Sequence, residues 1–260
     1  MVMFVKELSN MEILYTILAI FCCGLLGYLF GSLPTGIIIG RIHGIDIRQY
    51  GSHNTGGTNV GRTLGKKAGT TTMVLDIFKC YIPCLITLLV FSYSPLLNQM
   101  INYSHLKELM IAITAIGVLL GHTFPLFAHF KGGKAVACIS GYVLFVSPIL
   151  FAIGITFFFV LFAISKRISV CSIITVPFVA LLMLIPMILD LTVLNDINAF
   201  NLGVYFSQSC MVHLSYITTI TMILGAALIV IRHKSNIIRL KNKEEPVTSF
   251  KNTINNQEEK

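Results

Sequence analysis

Long apolar runs alternate with short polar stretches from one end of this chain to the other. The runs fall at about Met11–Ile42, Ala68–Tyr93, Glu108–Phe127, Ala135–Ser165, Ser169–Leu189 and Leu214–Ile231. A helix needs about 20 apolar residues to cross a hydrocarbon core. In lipid, a helix is one of the few forms that satisfies its own backbone polar groups. The pattern therefore predicts an all-α polytopic membrane protein. The first run is interrupted by Ser32-Leu33-Pro34-Thr35-Gly36. Pro34 removes a helix donor there, which predicts a break near the membrane surface. That run lacks a small-residue cleavage site and reads as a retained anchor rather than a removed signal peptide.

The run Ala135–Ser165 is long for one span and short for two. Counted once, it places Lys166, Arg167 and the basic C-terminal region opposite Arg48, Arg62, Lys66, Lys67, Lys131 and Lys134. Such a division conflicts with the excess of Lys and Arg in cytoplasmic loops. A split at Ser147-Pro148 removes the conflict. It yields about seven membrane helices, some short or broken, with the N-terminus outside and the C-terminus cytoplasmic. All but three of the 19 Lys and Arg then lie on the cytoplasmic side; Lys6 and Lys107 are outside and Lys79 lies within a span. The outer loops carry Asp190 and Asp196 instead. Residues 1–242 read as a single integral membrane domain, and 243–260, polar and charged, as a disordered cytoplasmic tail.

Composition narrows the function. Only 12% of the 260 residues are charged, about half the share of a soluble domain. The net charge of +8 suits an anionic substrate or lipid surface. With no RNA-binding motif, no zinc-finger spacing and no tryptophan, nucleic acid is disfavoured. The seven cysteines lie almost entirely in or beside apolar runs and show no metal or disulfide spacing.

Against this background, Gly51 to Arg62 stands out as polar and glycine-rich. Its glycines let successive N–H groups turn toward one point, as in an anion-binding nest. Ser52, Asn54, Thr58 and Asn59 add uncharged donors, and Arg62 adds a planar fork suited to phosphate. The plainer reading is a flexible interhelical loop. The predicted topology gathers three more polar segments at the same face: Phe130–Lys134, Ser169–Ser172 and Arg232–Asn236. Each has its plain reading too. Lys131 and Lys134 could be positive-inside anchors, His122 a satisfied core group, His233 a snorkelling side chain and Ser172 a helix cap. Asp76 and Lys79, three apart, would compensate each other within a helix, as architecture or as chemistry.

What is missing also constrains the reaction. There is no His-x4-Asp acyltransferase motif, no aspartate cluster for magnesium, no nucleophile elbow and no P-loop. The site reads as cationic and lacking a strong general-base carboxylate, with no metal or cofactor expected.

These segments resemble the bacterial acyl-phosphate:glycerol-3-phosphate acyltransferases, the PlsY family. The family's Arg and G-S-G-N-x-G-A-T-N-x-x-R is similar to Arg48 and Gly51–Arg62. Its G-H-x-F-P-x-F-x-x-F-K-G-G-K-x-V-A is similar to Gly121–Ala137, its S-x-S-S-I to Ser169–Ile173, and its R-H-x-x-N-I-x-R-L to Arg232–Leu240. Ser32–Gly36 fits its S-x-P-x-G. Departures are His53 for glycine, Gly57 for alanine, Ala128-His129 for Leu-Gly, Cys138 for threonine and Cys171 for serine. His53 is the notable one, because a side chain stands where close phosphate approach was cheap. It either turns to solvent or lends another donor.

The resemblance implies acyl transfer from a fatty acyl phosphate to the 1-hydroxyl of sn-glycerol 3-phosphate, giving lysophosphatidic acid and phosphate. This would be the first acylation of bacterial phospholipid synthesis, at the cytoplasmic face of the cell (inner) membrane. A separate soluble phosphate acyltransferase would supply the donor. Ser52, Asn54, Thr58 and Asn59 would hold the acyl-phosphate headgroup. Arg62, Lys131 or Lys134, Ser172, His233 and Asn236 would hold glycerol 3-phosphate. No protein general base is assigned; the acceptor's own phosphate would take its hydroxyl proton. The alternative is a transporter of a phosphorylated anion, which should carry polar residues through its spans and a charged path outside. Here only Asp76 and Lys79 are charged within a span.

Overall fold

A computed structural model describes residues 10–94, 106–189 and 215–248. The residues around Lys6, the segment with Asp190 and Asp196, and the tail beyond 248 lie outside the described residues. The helices are α1 (Asn10–Gly31), α2 (Thr35–Ile42), α3 (Gly57–Leu64), α4 (Lys66–Tyr93), α5 (Leu106–Thr123), α6 (Val136–Val146), α7 (Pro148–Ser165), α8 (Ile168–Leu189), α9 (Tyr216–Arg232) and α10 (Lys234–Lys241). The described residues contain no strand. Five segments are long and apolar enough to cross a membrane, with α1 and α2 counted together. The pair α9–α10, bent by 56°, is a sixth candidate.

The break at Ser147 follows the sequence expectation. Ser147 Oγ accepts the Leu150 N–H at 3.2 Å, and Pro148 occupies the first turn of α7, where its missing N–H costs nothing. The 11-residue α6 is the short membrane helix. The break after α1 also follows, with Pro34 immediately ahead of α2.

One element differs from expectation. The plainer reading of the glycine-rich segment is an interhelical loop, yet Gly57–Leu64 is helical. Its Gly, Thr and Asn residues have poor helix propensity, so the helix depends on tertiary contact. A Cβ on Gly69 of α4 would lie 2.5 Å from Gly61 Cα, and one on Gly57 would lie 2.8 Å from Gly69 O. The two backbones thus touch where only glycine fits, and α3 is held against α4. The same device joins α1 to α5, where Gly27 and Gly31 meet the Thr114 and Val118 carbonyls. Small residues allow such approach between membrane helices.

The main core lies among α4, α5, α6, α8 and α9, around Tyr142, Phe145, Leu119, Ile139, Met183 and Met222. By contrast, α7 turns Phe159 and Ile164 outward, 60% and 78% exposed, as suits a lipid-facing helix.

Candidate active site

Asn59 organises the glycine-rich segment. It is 1% exposed; its Oδ1 accepts the Ser52 N–H at 2.8 Å. Its Nδ2 donates to Ile47 O at 3.1 Å and Tyr50 O at 3.0 Å. Both amide hydrogens are therefore committed to the loop, and Asn59 shapes the cradle more than it lines it with donors. Asn54 Oδ1 accepts the Gly56 N–H at 2.8 Å, an Asx turn that leads into α3. Ser52, Gly56, Gly57 and Thr58 then line one end of a cavity of about 280 Å³. The α3 N-terminus, with its orphan N–H groups and positive dipole end, favours an anion there.

His53 adopts a left-handed backbone, φ 56°, and its Nδ1 donates to Arg48 O at 2.8 Å. The ring folds back onto the loop rather than into the cavity. His129, the other residue standing in place of a family glycine, is also left-handed, φ 53°. Both departures thus keep the backbone shape and accept its steric cost. His129→Gly should raise stability by about 1 kcal/mol, read as a higher melting temperature in detergent. His53→Gly should raise it less, because the Arg48 hydrogen bond is lost.

The cationic end joins Arg62 of the same α3 to side chains from three other elements. Arg62 on α3, Lys134 ahead of α6, Ser172 on α8, and His233 and Asn236 around the start of α10 all line the same cavity. Lys134 Nζ donates to Asn236 Oδ1. Lys131 is exposed and is not on the cavity wall, so the two lysines of the glycine turn point to different surroundings. His233 is 3% exposed, and its Nδ1 donates to Ile229 O at 2.8 Å. A carbonyl only accepts, so Nδ1 carries the proton and Nε2 of the neutral ring is an acceptor.

A residue that the sequence reading left in the tail completes the cluster. Glu245 is 5% exposed. Its carboxylate accepts Ser169 Oγ at 2.6 Å, Asn236 Nδ2 at 2.8 Å and Arg239 Nε at 2.8 Å. Glu245 and Thr248 are thus buried against the protein, while Lys243, Glu244, Pro246 and Val247 between and before them are exposed. Thr248 extends the strap, since its N–H donates to Lys166 O at 2.8 Å and Arg62 Nη2 donates to its Oγ1 at 3.3 Å. Burial works against the charged Glu245, but the hydrogen bonds from Ser169, Asn236 and Arg239 outweigh it and hold its pKa below the ordinary value. For Lys134, burial pushes the ammonium down to about 8; Glu245 opposes this, and Arg239, Arg62 and Arg232 add to it.

Beneath the cradle, Asp76 and His122 also line the cavity. Asp76 Oδ1 accepts Thr35 Oγ1 at 2.6 Å and meets Lys79 Nζ at 2.9 Å. Lys79 also donates to Leu33 O at 3.1 Å, across the break between α1 and α2. Asp76, His122 and Cys138 bring ligand atoms within 4.8 Å of one another. The Lys79 ammonium already supplies the cation at Asp76, so this arrangement is an ion-paired strut. It ties the helix break to the floor of the site.

Away from the charges the cavity becomes apolar, between Ile139 and Val143 of α6, Leu150 and Phe158 of α7, and Val176 and Val179 of α8. One chamber therefore joins an anion-binding end to a greasy end.

A chamber that is donor-rich and cationic at one end and apolar at the other has the chemistry to hold a molecule carrying both an anion and a chain. Residues 21–243 match the glycerol-3-phosphate acyltransferase family model. The glycerol-3-phosphate acyltransferase of Streptococcus gordonii is 37% identical over 222 residues, covering 85% of this chain and 89% of that one. The protein of the same name from Bacillus subtilis is 35% identical over 224 residues, covering 85% and 94%. The crystal structure of PlsY (YgiH), an integral membrane glycerol 3-phosphate acyltransferase in its glycerol 3-phosphate form, aligns with a TM-score of 0.67 at 28% identity. That alignment covers 90% of this chain and 96% of that one. A second PlsY structure, in a lysophosphatidic acid form, aligns equally well. The chain belongs to the glycerol-3-phosphate acyltransferase family.

Proposed function

We propose that this chain transfers the acyl group of a fatty acyl phosphate to the 1-hydroxyl of sn-glycerol 3-phosphate, releasing lysophosphatidic acid and phosphate. The observation that carries this reading is the single chamber with a donor-rich, cationic end and an apolar continuation. Both substrates bring a phosphate, and only one brings a chain. An acyl phosphate is a mixed anhydride, activated before it arrives, so positioning and charge stabilisation supply the catalysis. Holding two reactants together is worth about 7–11 kcal/mol in favourable systems.

In this mechanism the α3 N-terminus, Ser52, Asn54 and Thr58 hold the donor phosphate, and Asn59 holds the loop. Arg62, Lys134, Ser172, His233 and Asn236 hold glycerol 3-phosphate, with His233 Nε2 accepting from a glycerol hydroxyl. The 1-hydroxyl oxygen attacks the acyl carbon, its proton passes to an oxygen of its own phosphate group, and inorganic phosphate departs. The cationic segments would face the cytoplasm of a bacterial cell (inner) membrane, with the N-terminus outside. A soluble phosphate acyltransferase would provide the donor in the first acylation of phospholipid synthesis.

Detergent-purified protein given acyl phosphate, labelled glycerol 3-phosphate and EDTA should form labelled lysophosphatidic acid. Folded protein that forms none would overturn the proposal. Arg62→Lys keeps the charge but loses the bidentate fork; activity at limiting glycerol 3-phosphate should fall about tenfold or more. Wild-type activity in that variant would remove Arg62 from the acceptor site.

A further inference from the structure

Where the phosphate end of the chamber gives way to the apolar end, one hydroxyl stands without a partner. Thr175 lines the cavity, is 7% exposed, and its Oγ1 is buried with no hydrogen bond. Other helical hydroxyls in this protein bond the carbonyl four residues back. Thr72 bonds Ala68 O, Thr114 bonds Met110 O, Thr221 bonds Ile217 O and Ser172 bonds Ile168 O. That bond is the ordinary outlet for a helical Ser or Thr, and Thr175 does not take it. A buried hydroxyl left unpaired forfeits its solvation without recompense.

Its position gives this a chemical meaning. Ser169, Ser172 and Thr175 recur every three residues along one face of α8. Ser169 holds Glu245, Ser172 lines the cationic end, and Val176 and Val179 line the apolar end. Thr175 lies about 4.5 Å along the helix from Ser172, at 1.5 Å per residue. In an acyl phosphate, the carbonyl is the group between phosphate and chain. A lone uncharged donor at the matching point of the wall suits that carbonyl oxygen. Oγ1 is buried in this rotamer, and a turn of about 120° about χ1 carries it to another staggered position of the same side chain.

We propose that Thr175 donates its hydroxyl hydrogen to the acyl carbonyl oxygen and is a catalytic residue of the transfer. The inference rests on the acyl-phosphate reading above. When the 1-hydroxyl oxygen bonds to the acyl carbon, the carbonyl π pair moves onto oxygen, and the Thr175 O–H stabilises that oxyanion. The pair then returns to restore C=O as the C–O bond to phosphate breaks. The bond electrons leave with the phosphate, and the hydroxyl proton resides on a phosphate oxygen. The same donor would meet the ester carbonyl of the product.

Thr175→Val keeps the shape and removes the hydroxyl. It should lower kcat by about 100-fold, the effect of losing one oxyanion donor, with KM for glycerol 3-phosphate unchanged. Its melting temperature should rise, because an unpaired buried hydroxyl is replaced by a methyl. Thr175→Ser should retain most of the activity. Lysophosphatidic acid labelled with ¹³C at the ester carbonyl should show a lower infrared stretching frequency on wild-type protein than on Thr175→Val. A wild-type kcat in Thr175→Val, or equal loss in the Ser variant, would overturn the assignment. So would an identical carbonyl band in the two proteins. If wild-type protein makes no lysophosphatidic acid from acyl phosphate, the donor reading fails instead, and the infrared comparison still decides the carbonyl contact.

Discussion

Asp76→Leu alone should destabilise the protein by about 3–5 kcal/mol, and adding Lys79→Met should recover much of that loss. The two side chains are 1% and 6% exposed and 2.9 Å apart. Removing one leaves the other charged and unmatched in a poorly solvated interior. Replacing both with apolar groups of similar size removes the charges together. Thermal melts of the two single variants and the double variant in one detergent would measure this. Equal melting temperatures for Asp76→Leu and the double variant would show that Lys79 finds adequate solvation without its partner. Recovery in the double variant should be incomplete, because Thr35 and Leu33 also lose their bonds to the pair. A double variant that folds but turns over slowly would mean that the strut positions the site in addition to stabilising it.

For wild-type enzyme, kcat/KM for glycerol 3-phosphate should fall by about tenfold per pH unit above pH 8, since this ratio reports ionisations of the free enzyme. Burial lowers the Lys134 pKa to about 8, and in the proposed mechanism its charged form is the one that holds phosphate. The substrate does not mask the change, because the second proton of a phosphate monoester is lost near pH 6. Lys134→Gln should flatten the alkaline limb and lower kcat/KM at pH 7 by about 10- to 100-fold, as for a lost charged hydrogen bond. Stability should move the other way. Between about pH 8 and the ordinary lysine value of 10.5, the unfolded chain binds a proton that the folded chain has released. Stability from this group therefore rises with pH over that window, while activity declines. An alkaline limb that persists in Lys134→Gln would assign the titration to another group.

The membrane architecture was legible because hydropathy and charge sidedness are strong, chain-wide signals. The split at Ser147-Pro148 came from the basic residues on either side of it, not from any drop in hydropathy. Helix α3 was not legible, since it owes its form to backbone contact between Gly57, Gly61 and Gly69. Propensity alone describes such a stretch as loop. The division between Lys131 and Lys134 was also beyond the sequence. The two flank the same glycines, and a turn decides which one faces the chamber. Glu245 carried only the faint signal of an acid ahead of Pro246 in a tail of mixed charge. Its partners Ser169, Asn236 and Arg239 converge on it only once α8 and α10 are side by side. Motif matching placed Asn59 among the ligand donors, whereas its amide is occupied with Ser52, Ile47 and Tyr50. Thr175 follows the third motif by two residues and lies outside its pattern.

The apolar end of the chamber is walled partly by Ile155 and Phe159 of α7, which are also 39% and 60% exposed on the lipid side of the molecule. A wall shared with the bilayer lets a chain-bearing molecule arrive sideways, without passing through water. For such a molecule the relevant abundance is its share of the membrane's area, not its molarity in the surrounding volume. Diluting the proposed donor with inert lipid or detergent at constant total donor should therefore slow turnover. Diluting the whole suspension with buffer at fixed glycerol 3-phosphate should not.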